Sequence, residues 1–208
     1  MQAPKNGFFY VLDRNNGELL RAHKYTEVNW ATHVDMETGR PVENPEKDYT
    51  NEKQWILPGA LGGHNWQAMS YDPELGLVFI PEQKSTTIYK MTEEWQQTGK
   101  IKYKANSWNT GIEIAKYLDL ALTTLDAPIG TGSLKAFNPI SGETEWEVKY
   151  PQHWNGGTLS TKSGITFQGN GMGFLNAFDS STGEILWSKD IQTSMIAPPV
   201  PSKIKNED

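Results

Sequence analysis

Cysteine is missing from the 208 residues, so neither a disulfide nor a thiolate metal site can form within them. Basic runs are missing as well. The chain carries 19 Lys and Arg against 25 Asp and Glu, a formal charge of −6, which argues against nucleic acid or an anionic membrane as its main partner, because counterion release needs clustered cations. No apolar run approaches the ~18 residues of a spanning helix, so no membrane span is expected. The opening Met1-Gln2-Ala3-Pro4-Lys5 has no apolar stretch of a secretion signal. His23, His33, His64 and His153 lack zinc-type spacing, and there is no Gly-x-Ser-x-Gly elbow.

What is there is a repeat. Ala136-Phe-Asn-Pro-Ile-Ser-Gly142-Glu-Thr-Glu-Trp146 and Ala177-Phe-Asp-Ser-Ser-Thr-Gly183-Glu-Ile-Leu-Trp187 share Ala-x-Asx-x-x-Ser/Thr-Gly-x-x-x-Trp, 41 residues apart. Val11-Leu-Asp13-Arg-Asn-Asn16-Gly17-Glu-Leu-Leu-Arg21 is a degenerate third copy, about three periods earlier. Each copy reads as strand, turn, strand: a short aromatic or apolar run, then an Asx-led turn whose glycine can take positive φ. The runs are Phe8 to Leu12, Leu134 to Phe137 and Phe174 to Phe178. Leu77 to Ile80, stopped by Pro81, and Ile165 to Gln168, bracketed by Gly164 and Gly169, are further strand candidates. Short strands repeated at ~40–45 residues are the signature of β-propeller blades.

Two stretches depart from the pattern. Residues 29–58 are polar and turn-rich and read as a long excursion between strands. Ile114, Tyr117, Leu118, Ala121, Leu122 and Leu125 fall at helical spacing, which predicts a short helix over 114–125. The reading is all-β: one partial propeller domain over residues 1–208, of about four blades of antiparallel four-stranded sheets. Asp13 to Gly17 begins like a Ca²⁺ loop but has its glycine at the fifth place and no glutamate at the twelfth, so it is a turn. Gly169-Asn-Gly171-Met-Gly173 joins two strands rather than opening a helix, and is no dinucleotide fingerprint.

Five segments in order extend the pattern into a family resemblance. They are Lys5-Asn6-Gly7-Phe8-Phe9-Tyr10-Val11-Leu12-Asp13-Arg14, Gly63-His64-Asn65-Trp66-Gln67-Ala68-Met69-Ser70-Tyr71-Asp72-Pro73, Gly76-Leu77-Val78-Phe79-Ile80-Pro81, Trp108-Asn109-Thr110-Gly111 and Trp154-Asn155-Gly156-Gly157-Thr158-Leu159. Together with the repeats they resemble the pyrroloquinoline quinone (PQQ) alcohol dehydrogenases. The resemblance runs from Lys5 to about Val200 and implies the latter part of an eight-bladed propeller, in which Trp146 and Trp187 are tryptophan-docking residues packed against neighbouring blades.

It also implies where the chemistry lies. PQQ is a planar tricarboxylated quinone, and a site for it needs cations and amides at its edge and aromatic faces beside it. By resemblance Lys5 contacts the quinone oxygens and Asn65 hydrogen-bonds PQQ, with Trp66 beside it. Trp154 or Asn155 lies at the cofactor rim, where Gly156 and Gly157 allow close backbone approach. His64 reads as a structural histidine. The family's catalytic Asp, its Ca²⁺ or lanthanide ligands and its vicinal cysteines fall before the position matched by Lys5, so no catalytic or metal residue is expected in this chain.

The chain is therefore expected to be a fragment of a periplasmic PQQ-dependent alcohol dehydrogenase. Such an enzyme oxidises a primary alcohol to an aldehyde and hands electrons to a cytochrome c-type acceptor; the isolated chain is expected to be inactive. The alternative is a non-catalytic PQQ-repeat scaffold, which would need the docking pattern but not Lys5, His64-Asn65-Trp66 or Trp154 to Gly157.

Overall fold

The computed structural model describes residues 1–113 and 130–202. They fall into two compact units, residues 1–63 with 84–130 and residues 64–83 with 131–208. The expected helix over 114–125 lies outside the described residues.

The first unit is built from antiparallel ribbons. Phe8–Leu12 (β1) pairs with Leu19–Lys24 (β2), placing Phe8 opposite Lys24 and Val11 opposite Arg21. The turn between them is closed by Asp13, whose carbonyl accepts from Gly17 N–H at 2.9 Å and whose carboxylate accepts from Asn15 N–H at 2.7 Å. Ala31–Val34 (β3) pairs with Pro41–Glu43 (β4), and Gln54–Ile56 (β5) with Thr87–Tyr89, the eighth strand in chain order (β8). Phe8, Val28, Ala31 and Val34 form the apolar core, with Tyr10, Leu19, Ala22 and Trp30 packed against it. Among the described residues the α-helix Glu93–Thr98 (α1) starts on Thr92, whose hydroxyl caps Trp95 N–H, and ends at Gly99 in the left-handed region.

Residues 29–58 are thus not an excursion: they hold three strands. The β3–β4 turn repeats the Asp13 device, with Gly39 N–H donating to Asp35 C=O at 2.8 Å and Glu37 N–H to the Asp35 carboxylate at 2.8 Å. Ala31-Thr32-His33-Val34 buries only its two ends, so it carries no periodic apolar signal.

The second unit holds two four-stranded antiparallel sheets. Ser70–Asp72 (β6), Leu77–Lys84 (β7), Thr131–Phe137 (β9) and Thr144–Tyr150 (β10) lie in the order β10-β9-β7-β6. Asn155–Ser160 (β11), Ile165–Asn170 (β12), Phe174–Asp179 (β13) and Ile185–Asp190 (β14) form a simple meander. These are the four-stranded blades of a partial propeller; the first unit supplies two-stranded ribbons. Pro81 does not stop β7. β6 pairs only Leu77, Val78 and Phe79, so the missing proline N–H falls beyond that ladder and costs it no bond.

Leu77, Phe79, Leu134, Ala136, Tyr150 and Phe178 make the core of the second unit, with Trp146 and Val148 packed on it. Trp146, on β10, reaches the turn between β13 and β14. Its indole N–H donates to Ser180 C=O at 3.0 Å, its ring lies 5.6 Å from Phe79, and a Cβ added at Gly183 would stand 2.7 Å from its Cδ2 and Cε3. Trp187, at the same place in the next copy of the repeat, is 48% exposed.

Candidate functional site

In the first unit the residue of interest is Lys5, and a glycine pair holds it. Gly63 N–H donates to Lys5 C=O at 3.0 Å, while the exposed Lys5 ammonium donates to Ala60 C=O at 3.3 Å. Gly62 sits at φ +85°, and a Cβ there would come within 2.5 Å of Lys5 Cγ and 2.7 Å of its Cα. Pro4, one residue before, has its carbonyl tied to the Tyr25 hydroxyl at 2.8 Å. The turn before β1 that carries Lys5 is therefore fixed in the backbone while its cation stays in solvent.

In the second unit Trp66 and Trp154 meet across 88 residues of sequence, with ring centroids 6.2 Å apart and planes at 44°, and His153 lies 5.9 Å from Trp154. Trp66 is 60% exposed although its neighbour Gln67 is 1% exposed. The contrast has a cause in the loop. His64 is buried, and its ring Nε2–H donates to Gln67 C=O at 2.6 Å; the Gln67 side-chain oxygen accepts from Gln83 Nε2 on β7 at 3.2 Å. With residues 64 and 67 anchored inward, Trp66 is held outward. His64 thus has the structural role expected of it, and Asn65 beside it is half-buried.

The structure separates Trp154 from Asn155. Asn155 is 2% exposed and its amide closes its own loop: Nδ2 donates to Gln152 C=O at 2.9 Å and Oδ1 accepts from Gly171 N–H at 3.3 Å. Gly156 and Gly157 do not leave room for a flat ligand. A Cβ on Gly156 would meet the Gly169 and Met195 carbonyl oxygens at 2.7 Å, and one on Gly157 would meet Ala68 N at 2.7 Å, so their bareness serves packing within the unit.

Sequence reasoning missed a buried ion pair in the second unit. Glu82, fully buried on β7, accepts from Lys135 Nζ at 2.8 Å and from the Ser133 hydroxyl at 2.5 Å, both on β9. Both charges sit on strands that read as ordinary, and no spacing rule connects positions 53 residues apart. Among the described residues no three of His, Asp and Glu stand together as a cation site.

Taken unit by unit, the second unit offers paired indole faces, one of them largely in solvent, and the first an exposed ammonium on a fixed backbone, groups of the types that an aromatic acid cofactor uses. The family model described as glucose/ethanol/alcohol dehydrogenase, beta-propeller domain, which is a PQQ family, matches residues 33–206. The chain belongs to this family of PQQ β-propellers. It is 42% identical over 200 residues to the quinohemoprotein alcohol dehydrogenase ADH IIB of Pseudomonas putida, a match covering 96% of this chain and 27% of that protein. It is 36% identical over 203 residues to the 1-butanol dehydrogenase (cytochrome c) of Thauera butanivorans, covering 96% of this chain and 28% of the relative. Among solved structures, the quinohemoprotein alcohol dehydrogenase ADHIIG of Pseudomonas putida HK5 superposes with a TM-score of 0.85 at 35% identity, over 100% of this chain and 30% of that one. A europium-containing methanol dehydrogenase superposes with a TM-score of 0.77 at 26% identity, over 94% of this chain and 32% of that one. This PQQ propeller chain thus spans less than a third of the length of these relatives.

Proposed function

We propose that this chain is the latter part of a periplasmic PQQ-dependent alcohol dehydrogenase that converts primary alcohols to aldehydes and passes the electrons to a cytochrome c-type acceptor. The observation that carries the reading is the Trp66–Trp154 pair, two matched positions brought to 6.2 Å with one ring left in solvent by the anchoring of its own loop. A propeller scaffold needs no such pair.

PQQ, when bound, supplies the quinone that takes hydride from the alcohol. Trp66 and Trp154 offer it an aromatic face and Asn65 an amide, whereas Asn155 holds the loop that carries Trp154. Lys5 provides a cation whose backbone cannot drift, suited to stabilising negative charge that develops on a quinone oxygen. No group in this chain is assigned as general base, and Ca²⁺ or a lanthanide is assigned to residues outside it. The isolated chain therefore has no turnover of its own.

Titration of the chain with PQQ, followed by quenching of tryptophan emission, tests the reading. Saturable quenching that falls about tenfold in affinity in Trp66→Ala and in Trp154→Ala supports it, a loss in line with a stacked aromatic contact and its buried area. Unaltered emission across the titration would leave the scaffold reading in possession. Turnover of ethanol by the isolated chain with PQQ, Ca²⁺ or La³⁺ and a dye acceptor would refute the assignment of the base to another segment.

A further inference from the structure

The first unit contains a cavity of about 540 Å³ that the cofactor reading does not use. Its walls come from the start of β3, the segment after β4 and the α1 region, and include the aromatic rings of Trp30, Tyr49 and Trp95 with the carboxylates of Glu43 and Asp48. The walls are tied together. Asn44 N–H donates to Trp30 C=O at 2.8 Å, Met91 N–H to Tyr49 C=O at 3.0 Å, and the Gln96 amide to Thr50 C=O at 2.6 Å. Trp30 is fixed further by its own N–H, which donates to Asn6 C=O at 3.1 Å, and Tyr49 by an edge contact to Tyr89 at 5.4 Å. Such a volume is in the range of sites for small organic molecules.

The electrostatics select the ligand. Three aromatic residues line it, and the negative potential of an aromatic face attracts a cation, to which the two carboxylates add. Asp48 is a carboxylate whose bonds from the Thr50 hydroxyl and N–H hold it below the ordinary carboxylate range. Burial, and then the charges of Glu43 and Asp48, raise the Tyr49 hydroxyl above its ordinary value, so both anions act on the aromatic wall itself. Lys47 also lines the cavity and cancels one of the two charges, leaving the lining net negative. A metal ion would find only two carboxylates there, and an anion would be repelled.

We propose that this cavity binds an organic ammonium ion with an apolar body, the ammonium set against Glu43 and Asp48 and the body against Trp30, Tyr49 and Trp95. The site is independent of the quinone reading and shares no residue with it.

The test is an NMR titration of the chain that follows the indole N–H resonances of Trp30 and Trp95, using acetylcholine as the probe. 3,3-Dimethylbutyl acetate, its uncharged isostere, and methyl β-glucoside are run beside it. A saturable shift of both indoles by acetylcholine, with a dissociation constant on the order of 1 mM and at least about tenfold tighter than for the uncharged ester, supports the site. Glu43→Gln with Asp48→Asn keeps the shape and should weaken acetylcholine about threefold to tenfold without moving the ester. Trp95→Ala should abolish the shift of Trp30, while Trp187→Ala should leave it intact. Equal binding of the ester would mean an apolar pocket without cation selectivity, and binding of the glucoside alone would mean a sugar site; either overturns the proposal, as does the absence of any saturable shift with acetylcholine.

Discussion

Trp146 and Trp187 occupy equivalent places in the repeat but differ in what covers them, which allows a controlled experiment. Trp146 has a hydrogen bond to Ser180 C=O, a ring contact to Phe79 and the bare face of Gly183. Truncating a buried Trp to alanine typically costs ~3–5 kcal/mol; with Trp146 only partly buried, about 2–4 kcal/mol is expected, of which about 1 is the hydrogen bond. Trp187 is 48% exposed, and Trp187→Ala should cost less than about 1 kcal/mol.

Gly183 isolates the contact. At φ +76° an alanine pays a left-handed strain of ~1–2 kcal/mol wherever it sits. Here its Cβ would also strike the Trp146 ring at 2.7 Å, an overpacking penalty of ~1–3 kcal/mol. Gly76, at φ +70° with nothing within 4 Å of its added Cβ, supplies the strain without the clash. Gly183→Ala should therefore cost more than Gly76→Ala in the natural chain and about the same as it in Trp146→Ala. Urea unfolding followed by far-UV circular dichroism measures each free energy, and the cycle gives the coupling directly. If Gly183→Ala costs the same with and without Trp146, or Trp187→Ala costs as much as Trp146→Ala, the contact of Trp146 with this turn does not stabilise the unit.

Gly62→Ala should disturb the first unit in the same way, since its Cβ would fall 2.5 Å from Lys5 Cγ at φ +85°; a loss of about 2–4 kcal/mol in urea, against ~1–2 for strain alone, is the measurable outcome. Lys135→Met should cost about 3–5 kcal/mol by leaving the Glu82 carboxylate buried without its cation, and adding Glu82→Gln should recover most of it; equal losses in the single and double variants would argue against a coupled pair. The Asp179 carboxyl is held below its ordinary value of 3.8 by the hydroxyl and then the N–H of Ser181. A depressed folded-state pKa gives stability that is present above that ordinary value and lost as pH falls through the folded one, so the β13–β14 turn should loosen below about pH 4. Amide exchange of Ser181 and Thr182 should rise over that window, beyond the intrinsic pH trend, and Asp179→Asn should remove the excess.

Strands were readable where burial imposed a pattern. β1, β9 and β13 announce themselves as aromatic or apolar runs ahead of an Asx-to-Gly turn, and they are buried as such. The turn device itself recurs more often than the repeat suggests: Asp35 to Gly39 and Asp72 to Gly76 close in the same way, each with a glycine N–H on the Asp carbonyl at 2.8 or 2.9 Å. Neither is followed by the Trp of the full repeat, and β3 and β4 are too short and polar to show a period, so this part of the fold was hidden. Residue type picked out Trp66 and Trp154 singly as candidates, and the fold brings them to 6.2 Å across 88 residues of sequence. Asn155 shows the converse: its type suits a ligand contact, and its surroundings use it to close a loop.

The exposed face of Trp66 is costly for the fold. A large indole left 60% in solvent gives up apolar burial at roughly 25 cal/mol per Å², and a loop free to choose would turn it inward. His64 and Gln67 are both buried, His64 donating to the Gln67 carbonyl and the Gln67 side chain accepting from Gln83, and the bend that brings these two together leaves Trp66 outside. Burying an amide pair there is itself unfavourable, since each polar group must be desolvated to make a bond of modest net value. An arrangement that buries two glutamines in order to keep a tryptophan in water is poorly explained by stability alone. It is well explained if the indole is a platform whose remaining face is completed by a planar ligand, with the inward amides fixing the angle at which that face is offered.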